Sequence, residues 1–203
     1  MTITILGISG SPRRHGNTET LLDSFLEGAK AAGASVEKVV LKDLDFTACQ
    51  GCNACHKTGN CIVKDDAPAL YEKILSSDCI AVASPIYSMG ITAQLKGFID
   101  RAQYLWARKF ILKTLSFSDD HIRKHKAVFI STAGQNRPDV FNAAFPAITA
   151  LFNGCGFGYF ANIMASNMDE VGGIKNHPTA LKDAYEKGQE LVRVLTKEKA
   201  QGL

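Results

Sequence analysis

The chain has 203 residues, 46% apolar and 21% charged, with 23 Lys and Arg against 20 Asp and Glu for a formal net charge of +3. That length supports one well-buried core and a single domain. The small charge, scattered except between His121 and Lys126, excludes a nucleic-acid-binding face, and no apolar run approaches the ~20 residues of a membrane span. With no charged segment leading into a long apolar one at the N-terminus, and with six cysteines, the chain is expected to be cytoplasmic, where clustered thiols bind metal or do redox work.

The elements alternate. The apolar stretch Ile3-Thr4-Ile5-Leu6 predicts a first strand, and a loop through Thr18 leads to a helix from about Thr18 to Ala32 with Leu21, Leu22, Phe25, Leu26 and Ala29 on one face. Val36, Val39, Val40 and Leu41 mark a second strand. A cysteine-rich loop from about Phe46 to Lys64 follows. Asp65 and Asp66 cap a helix over Pro68–Ser77, and Ile80-Ala81-Val82-Ala83 has the continuous apolar character of a central parallel strand. Beyond the loop Ser84–Gly90, a helix spans roughly Thr92–Ala107, a fourth strand Ala127–Thr132 and a helix Val140–Phe152. A fifth strand near Tyr159–Met164 precedes a last helix over Pro178–Lys199. Five strands alternating with helices give an α/β, doubly wound, five-stranded parallel sheet, order 2-1-3-4-5, with helices on both faces. In such sheets ligands sit beyond the carboxyl ends of the strands, so the loops after strands one, three and four converge on one crevice.

The first of these loops, Gly7-Ile8-Ser9-Gly10-Ser11-Pro12-Arg13-Arg14-His15-Gly16-Asn17-Thr18, is suited to a phosphate. Its small residues let backbone N–H groups crowd an anion, the next helix adds its positive end, and Ser9, Ser11, Asn17 and Thr18 can donate hydrogen bonds. An ordinary turn with Asn17 or Thr18 as N-cap is the alternative. Spacing excludes both a P-loop, which needs a Lys followed by Ser or Thr, and the three-glycine dinucleotide loop. A phosphate monoester such as that of FMN remains, held as in the flavodoxin type of sheet. The second loop would offer N–H groups around Tyr87–Gly90 to the pyrimidine edge of the flavin, with Pro85 and Gly90 shaping the turn, and Thr132–Gln135 would flank the ring.

Gly7–Arg13, the helix start Asn17-Thr18, Ser84-Pro85-Ile86-Tyr87 and Ala93–Arg101 together resemble the NAD(P)H-dependent FMN reductases of the flavodoxin-like superfamily. With Cys49, Cys52, Cys55 and Cys61 the chain is most similar to the iron-sulfur flavoproteins. The resemblance implies FMN, a 4Fe-4S cluster and a homodimer or homotetramer, with electrons from NAD(P)H or ferredoxin passing to a small-molecule acceptor. It places the phosphate on Ser9, Ser11, Pro12, Arg13, Asn17 and Thr18. The ring falls against Pro85, Ile86, Tyr87, Ser88, Met89 and Gly90, with Thr132 and Gly134 beside it. One departure is Ala133-Gly134-Gln135, where many relatives carry two glycines.

Cys49, Cys52, Cys55 and Cys61 follow two three-residue steps and one six-residue step, which lets one loop present four thiolates around a centre, with Gly51 and Gly59 easing the wrap. Structural zinc more often uses two separated knuckles, and a reduced, metal-free loop is the other reading. His56 is expected to be exposed, Cys79 and Cys155 to be buried packing residues, and His121 and His125 to lie on a solvated face. Asp100, Arg101 and Trp106 are read either as an intersubunit contact or as local surface interactions. No protein acid, base or nucleophile constellation stands out, so the flavin is expected to carry the chemistry. The alternatives are a cluster-free flavin or quinone reductase and a non-enzymatic redox sensor.

Overall fold

The computed structural model describes residues 2–201. Its five parallel strands are β1 (Thr4–Ser9), β2 (Ser35–Val40), β3 (Cys79–Pro85), β4 (Lys126–Thr132) and β5 (Gly158–Ala165), in the order β2-β1-β3-β4-β5 expected from the sequence. The helices, in chain order, are α1 (Asn17–Ala31), α2 (Cys55–Thr58), α3 (Asp66–Ser76), α4 (Ala93–Asp100), α5 (Gln103–Trp106), α6 (Asp119–Lys124), α7 (Phe145–Gly154), α8 (Met168–Val171) and α9 (Ala180–Ala200).

The central strands read as unbroken apolar runs because both of their faces are covered. Ile5, Cys79, Ala81, Val128 and Ile130 point to a core shared with α1 and α9. Their neighbours Leu6, Ile8, Ile80, Val82 and Phe129 point to a second core with α3, α4 and α7. The pairing Ser9↔Ala83 and Pro85↔Thr132 brings the carboxyl ends of β1, β3 and β4 to one edge. There the following loops must leave the sheet together. On the first face, a Cβ at Gly188 of α9 would be driven into the Phe25 carbonyl oxygen of α1, so only glycine permits this close backbone approach.

Several helix boundaries differ from the sequence reading. The helix expected over Thr92–Ala107 ends at Asp100, where Arg101 and Ala102 bond back three residues, to Phe98 and Ile99, before α5 and a wide π-turn over Ala107–Ile111. The helix expected from Pro68 starts two residues earlier, and Pro68 occupies its third position, where a missing N–H still costs nothing. Val140 lies in a turn, and α7 begins at Phe145 with Pro146 fixing its first turn. Strand five extends one residue beyond each expected end. The short helices α2, α6 and α8 have too few residues to produce a hydrophobic period.

Candidate functional site

A cleft of about 290 Å³ opens where the loops after β1, β3 and β4 meet. Of the residues singled out from the sequence, Ser11, Arg13, Asn17, Thr18, Pro85, Ile86, Tyr87, Thr132 and Gly134 line it. Gly16 and Ala133, which belong to the loops singled out from the sequence, line it too, as do Met168 and Asp169, which were not foreseen. Met168 and Asp169 escaped because they follow the edge strand β5, which is remote in sequence from the phosphate loop. Ser9, Pro12, Ser88, Met89 and Gly90 lie outside the lining. Ser9 is fully buried, and its hydroxyl has no hydrogen-bond partner among the described residues, an orphaned polar atom below the loop.

The loop after β1 is held from several sides. The Gly10 N–H donates to the Ala83 carbonyl at 2.7 Å, and the Thr92 hydroxyl donates to the Gly10 carbonyl at 2.6 Å. A Cβ at Gly10 would stand 2.8 Å from that of Leu95, so this crossing needs glycine. Thr18 and Thr132 join their hydroxyls at 2.5 Å across the base of the cleft. Ser11 Oγ accepts from the Arg13 N–H at 3.2 Å and donates to the Arg13 carbonyl at 3.1 Å, which closes the tip of the loop.

The helix that follows starts without a cap. Gly16 takes an extended conformation (φ −74°, ψ 174°) with no side chain to satisfy the first-turn N–H groups of α1, so these donors and the positive end of the dipole are left for a ligand. Neither Asn17 nor Thr18 is the N-cap. Asn17 Oδ1 instead accepts from the Ile174 N–H at 3.0 Å, leaving its NH₂ as the donor end. Glu19, nearly fully buried, braces the loop from behind, accepting from the His15 N–H at 2.7 Å and from Lys38 Nζ at 2.9 Å. Burial pushes its carboxyl up; Lys38, the His15 N–H and Arg14 outweigh that and hold it below the usual carboxylate range. The donor set of uncapped N–H groups, the Asn17 amide and the Arg13 guanidinium fits a phosphate monoester, with the Ser11 and Thr18 hydroxyls beside them, bonded in this structure to the Arg13 carbonyl and to Thr132.

The loop after β3 corrects one expectation. The N–H groups of Tyr87 and Gly90 are not free; they bond each other's carbonyls at 2.9 and 3.0 Å, and the Ile86 N–H bonds the Thr132 carbonyl at 2.9 Å. Between them Ser88 and Met89 both adopt left-handed conformations (φ 48° and 67°), a two-residue turn usually reserved for Asn and Gly. Only Ser88 and Met89 keep unbonded N–H groups in this segment among the described residues. Tyr87 is 43% exposed at the mouth of the cleft.

The cysteine loop lies apart from the sheet edge, against α5 and the π-turn. Cys49, Cys52, Cys55 and Cys61, all with free thiols, line one small hollow with Arg101, Gln103 and Tyr104. Gly51, Asn53 and Gly59 turn through left-handed conformations to wrap it. Burial pushes the Cys55 thiol up, and the charges of Cys49, Cys52 and Cys61 push it further, as expected of mutual neighbours. Among the described residues, no three Cys, His, Asp or Glu side chains converge closely enough to hold a metal ion. Convergence on one point, about 2.3 Å from each sulfur, is what a single zinc requires. Four free thiols lining one hollow match a 4Fe-4S cluster in number and kind, but in this arrangement they do not converge as a metal-binding group.

Arg101 is the residue the sequence reading misplaced. It is no surface or intersubunit residue: its side chain is 2% exposed and pairs with Asp65 at 2.5 and 3.0 Å. It also donates to the Thr47 carbonyl at 2.7 Å, to the Val63 carbonyl at 3.5 Å and to Cys61 Sγ at 3.5 Å. One guanidinium thus clamps both ends of the cysteine loop. Asp100 instead pairs with Lys96 one helical turn away, at 2.6 Å. His56 is half-buried rather than exposed, its ring 6.0 Å from that of Trp106. His121 and His125 are not a solvated face; their half-buried rings stack at 3.8 Å. Cys79 and Cys155 are buried, as expected. No helix among the described residues is long and apolar enough to cross a membrane.

Residues 3–156 match the family described as NADPH-dependent FMN reductase. An iron-sulfur flavoprotein of Archaeoglobus fulgidus is 41% identical over 96 residues, covering 47% of this chain and 44% of that protein. One of Methanosarcina thermophila is 38% identical over 109 residues, covering 54% and 57%. The chain therefore spans about half the length of the curated relatives it matches. Among solved structures, an NAD(P)H:quinone oxidoreductase from Methanothermobacter marburgensis superposes with a TM-score of 0.75 over 94% of this chain and 96% of its own, at 19% identity, a likeness of fold.

Proposed function

Because this chain belongs to the NADPH-dependent FMN reductase family, we propose that it is a single FMN-binding domain and an oxidoreductase of the iron-sulfur flavoprotein type. It takes electrons from NAD(P)H or a reduced ferredoxin and delivers them to a small acceptor. The observation that carries this reading is the uncapped α1 N-terminus opening into the cleft beside Ser11, Arg13 and Thr18. FMN, when bound, supplies exchange between electron pairs and single electrons, and a 4Fe-4S cluster on Cys49, Cys52, Cys55 and Cys61 handles them singly. The first-turn N–H groups, Ser11, Asn17, Thr18 and Arg13 hold the phosphate. Pro85, Ile86 and Tyr87 would wall the ring, and Ser88 and Met89 would offer their unbonded N–H groups to its pyrimidine edge. Arg101 sets a positive charge on the Cys61 side of the hollow, favouring the anionic ligand set. The names of the similar proteins from Archaeoglobus and Methanosarcina support the cluster. Trp106, Phe110 and Ile111, each at least 42% exposed near the cysteine loop, support a second copy covering that face in a homodimer or homotetramer.

A cluster-free NAD(P)H-dependent flavin or quinone reductase is the second reading, favoured by the lack of metal-ion convergence among the described thiols. Protein purified anaerobically separates the two. About four irons and four sulfides per FMN, with flavin bands over broad absorbance, support the first. FMN without iron, with steady NADPH oxidation on adding a quinone, supports the second. Failure to take up FMN at all would refute both.

A further inference from the structure

The carboxylate of Asp169 stands in the cleft wall, although the cleft otherwise has the chemistry of an anion site. Its place is fixed by backbone rather than by chance contact. The N–H groups of Asn167, Met168 and Asp169 donate in turn to the carbonyls of Gln135, Ala133 and Gly134, at 3.3, 3.1 and 3.2 Å. This three-rung ladder lashes the turn after β5 to the loop after β4. The carboxylate then lies so close over Gly134 that a Cβ there would strike its oxygens. The same segment reaches the phosphate helix through the bond from the Ile174 N–H to Asn17. Among the described residues no side chain donates to Asp169 and no cation pairs with it.

An ionised carboxylate has acceptor sites and no donors. Beside a phosphate dianion it is repulsive unless the ligand itself brings donors. Between its phosphate and its ring, FMN carries a ribityl chain with three hydroxyls, each able to donate. We infer that Asp169 accepts hydrogen bonds from the ribityl hydroxyls, with Gly134 kept side-chain-free so that the carboxylate can lie at that depth. The inference rests on the FMN reading. It makes Asp169 a binding and specificity residue that favours a polyol-phosphate ligand over a bare phosphate.

Titration of Asp169→Ala and Asp169→Asn with FMN and with riboflavin, followed by flavin fluorescence, tests it. Hydrogen bonds to a charged acceptor are worth about 1.5–3 kcal/mol, so FMN affinity falls about ten- to hundredfold in Asp169→Ala. Asp169→Asn, which keeps a neutral acceptor, falls less. Riboflavin, which has no dianion to benefit from losing the charge, falls at least as much as FMN. Tighter FMN binding in either variant, as simple repulsion from the phosphate requires, would overturn the inference. So would unchanged affinities, or a loss confined to FMN. Since the ladder is backbone, unliganded melting temperatures should match the wild type; a lowered melting temperature with proportionally weaker binding would make the residue structural and also refute the role. A wild-type protein that binds no FMN would instead sink the underlying functional reading.

Discussion

The cleft and the cysteine loop each sit at the start of a helix, and they treat that start in opposite ways. Beside the cysteine loop, α3 begins under Asp65, whose carboxylate accepts from the Ala67 N–H at 3.1 Å while gripping Arg101. α4 and α6 are closed likewise, by Thr92 and Ser118. α1, at the cleft, begins under Gly16 with nothing closing it. Where the chain satisfies its own helix end it builds a support. At α1, whose end opens into the cleft, the uncapped first turn leaves donors for a ligand. The cleft is thus assembled from the ends of buried strands, whereas the cysteine loop, with Cys49 and Cys52 exposed, depends on one buried cation.

That contrast is broken most forcefully by removing the cation. Arg101→Ala leaves Asp65, the Thr47 carbonyl and the Val63 carbonyl without their shared donor, and loss of one partner of a buried pair costs about 3–5 kcal/mol. Denaturant unfolding should show a loss of this size, and limited proteolysis should cut first between residues 47 and 64. FMN affinity of the folded fraction should stay within about twofold of wild type. A parallel collapse of flavin binding would mean that the two regions are one unit.

Closing the open end sharpens the comparison from the other side. Gly16 already has N-cap geometry, and a Cβ there meets Arg13 at 3.4 Å, the outer edge of a close contact. Gly16→Asp should therefore add a cap and raise the stability of the unliganded protein by up to about 1 kcal/mol. The new carboxylate occupies the donors proposed for the phosphate and would repel it, so FMN affinity should fall at least about tenfold, equivalent to about 1.4 kcal/mol. Opposite signs in thermal melting and flavin titration are the signature. If both rose, the phosphate would have to lie elsewhere.

The two regions were unequally legible in the sequence. The cleft was readable because its residues follow strands whose apolar runs announce them, and because the loops after three of those strands converge at one edge of the sheet; the Gly, Ser and Asn-Thr turn by itself suited an ordinary N-cap equally well. Asp169 and Met168 were not, since β5 is an edge strand with a weak pattern and its loop reaches the cleft only through pairing at long range. The cysteine spacing was plain. Arg101 was not, because a cation on an amphipathic helix reads as solvated until the helix is seen to end there and turn it inward. The left-handed pair Ser88-Met89 was likewise hidden, since neither residue advertises such a turn.

Each region also rests on a carboxylate held below its usual range, and acid tests whether they are equally dependent on it. At Glu19 burial raises the carboxyl and Lys38, His15 and Arg14 lower it more; at Asp65 burial raises it and Arg101, Thr47 and Ala67 lower it more. Both folded values lie below the unfolded ones, near 4. The stability they confer is therefore complete above that pH and is lost as pH falls through the folded values. Glu19→Gln and Asp65→Asn should both flatten the acid limb of urea-unfolding stability measured from pH 7 to pH 3. They should differ at neutral pH. Lys38 retains Asp23 at 2.7 Å when Glu19 is neutralised, and Gln can still accept from the His15 N–H, so that cost should be about 1 kcal/mol. Arg101 has no second carboxylate among the described residues, so Asp65→Asn strands a buried charge and should cost more. Equal costs at pH 7 would mean that the Arg101 clamp is no more committed to its partner than a half-exposed lysine is.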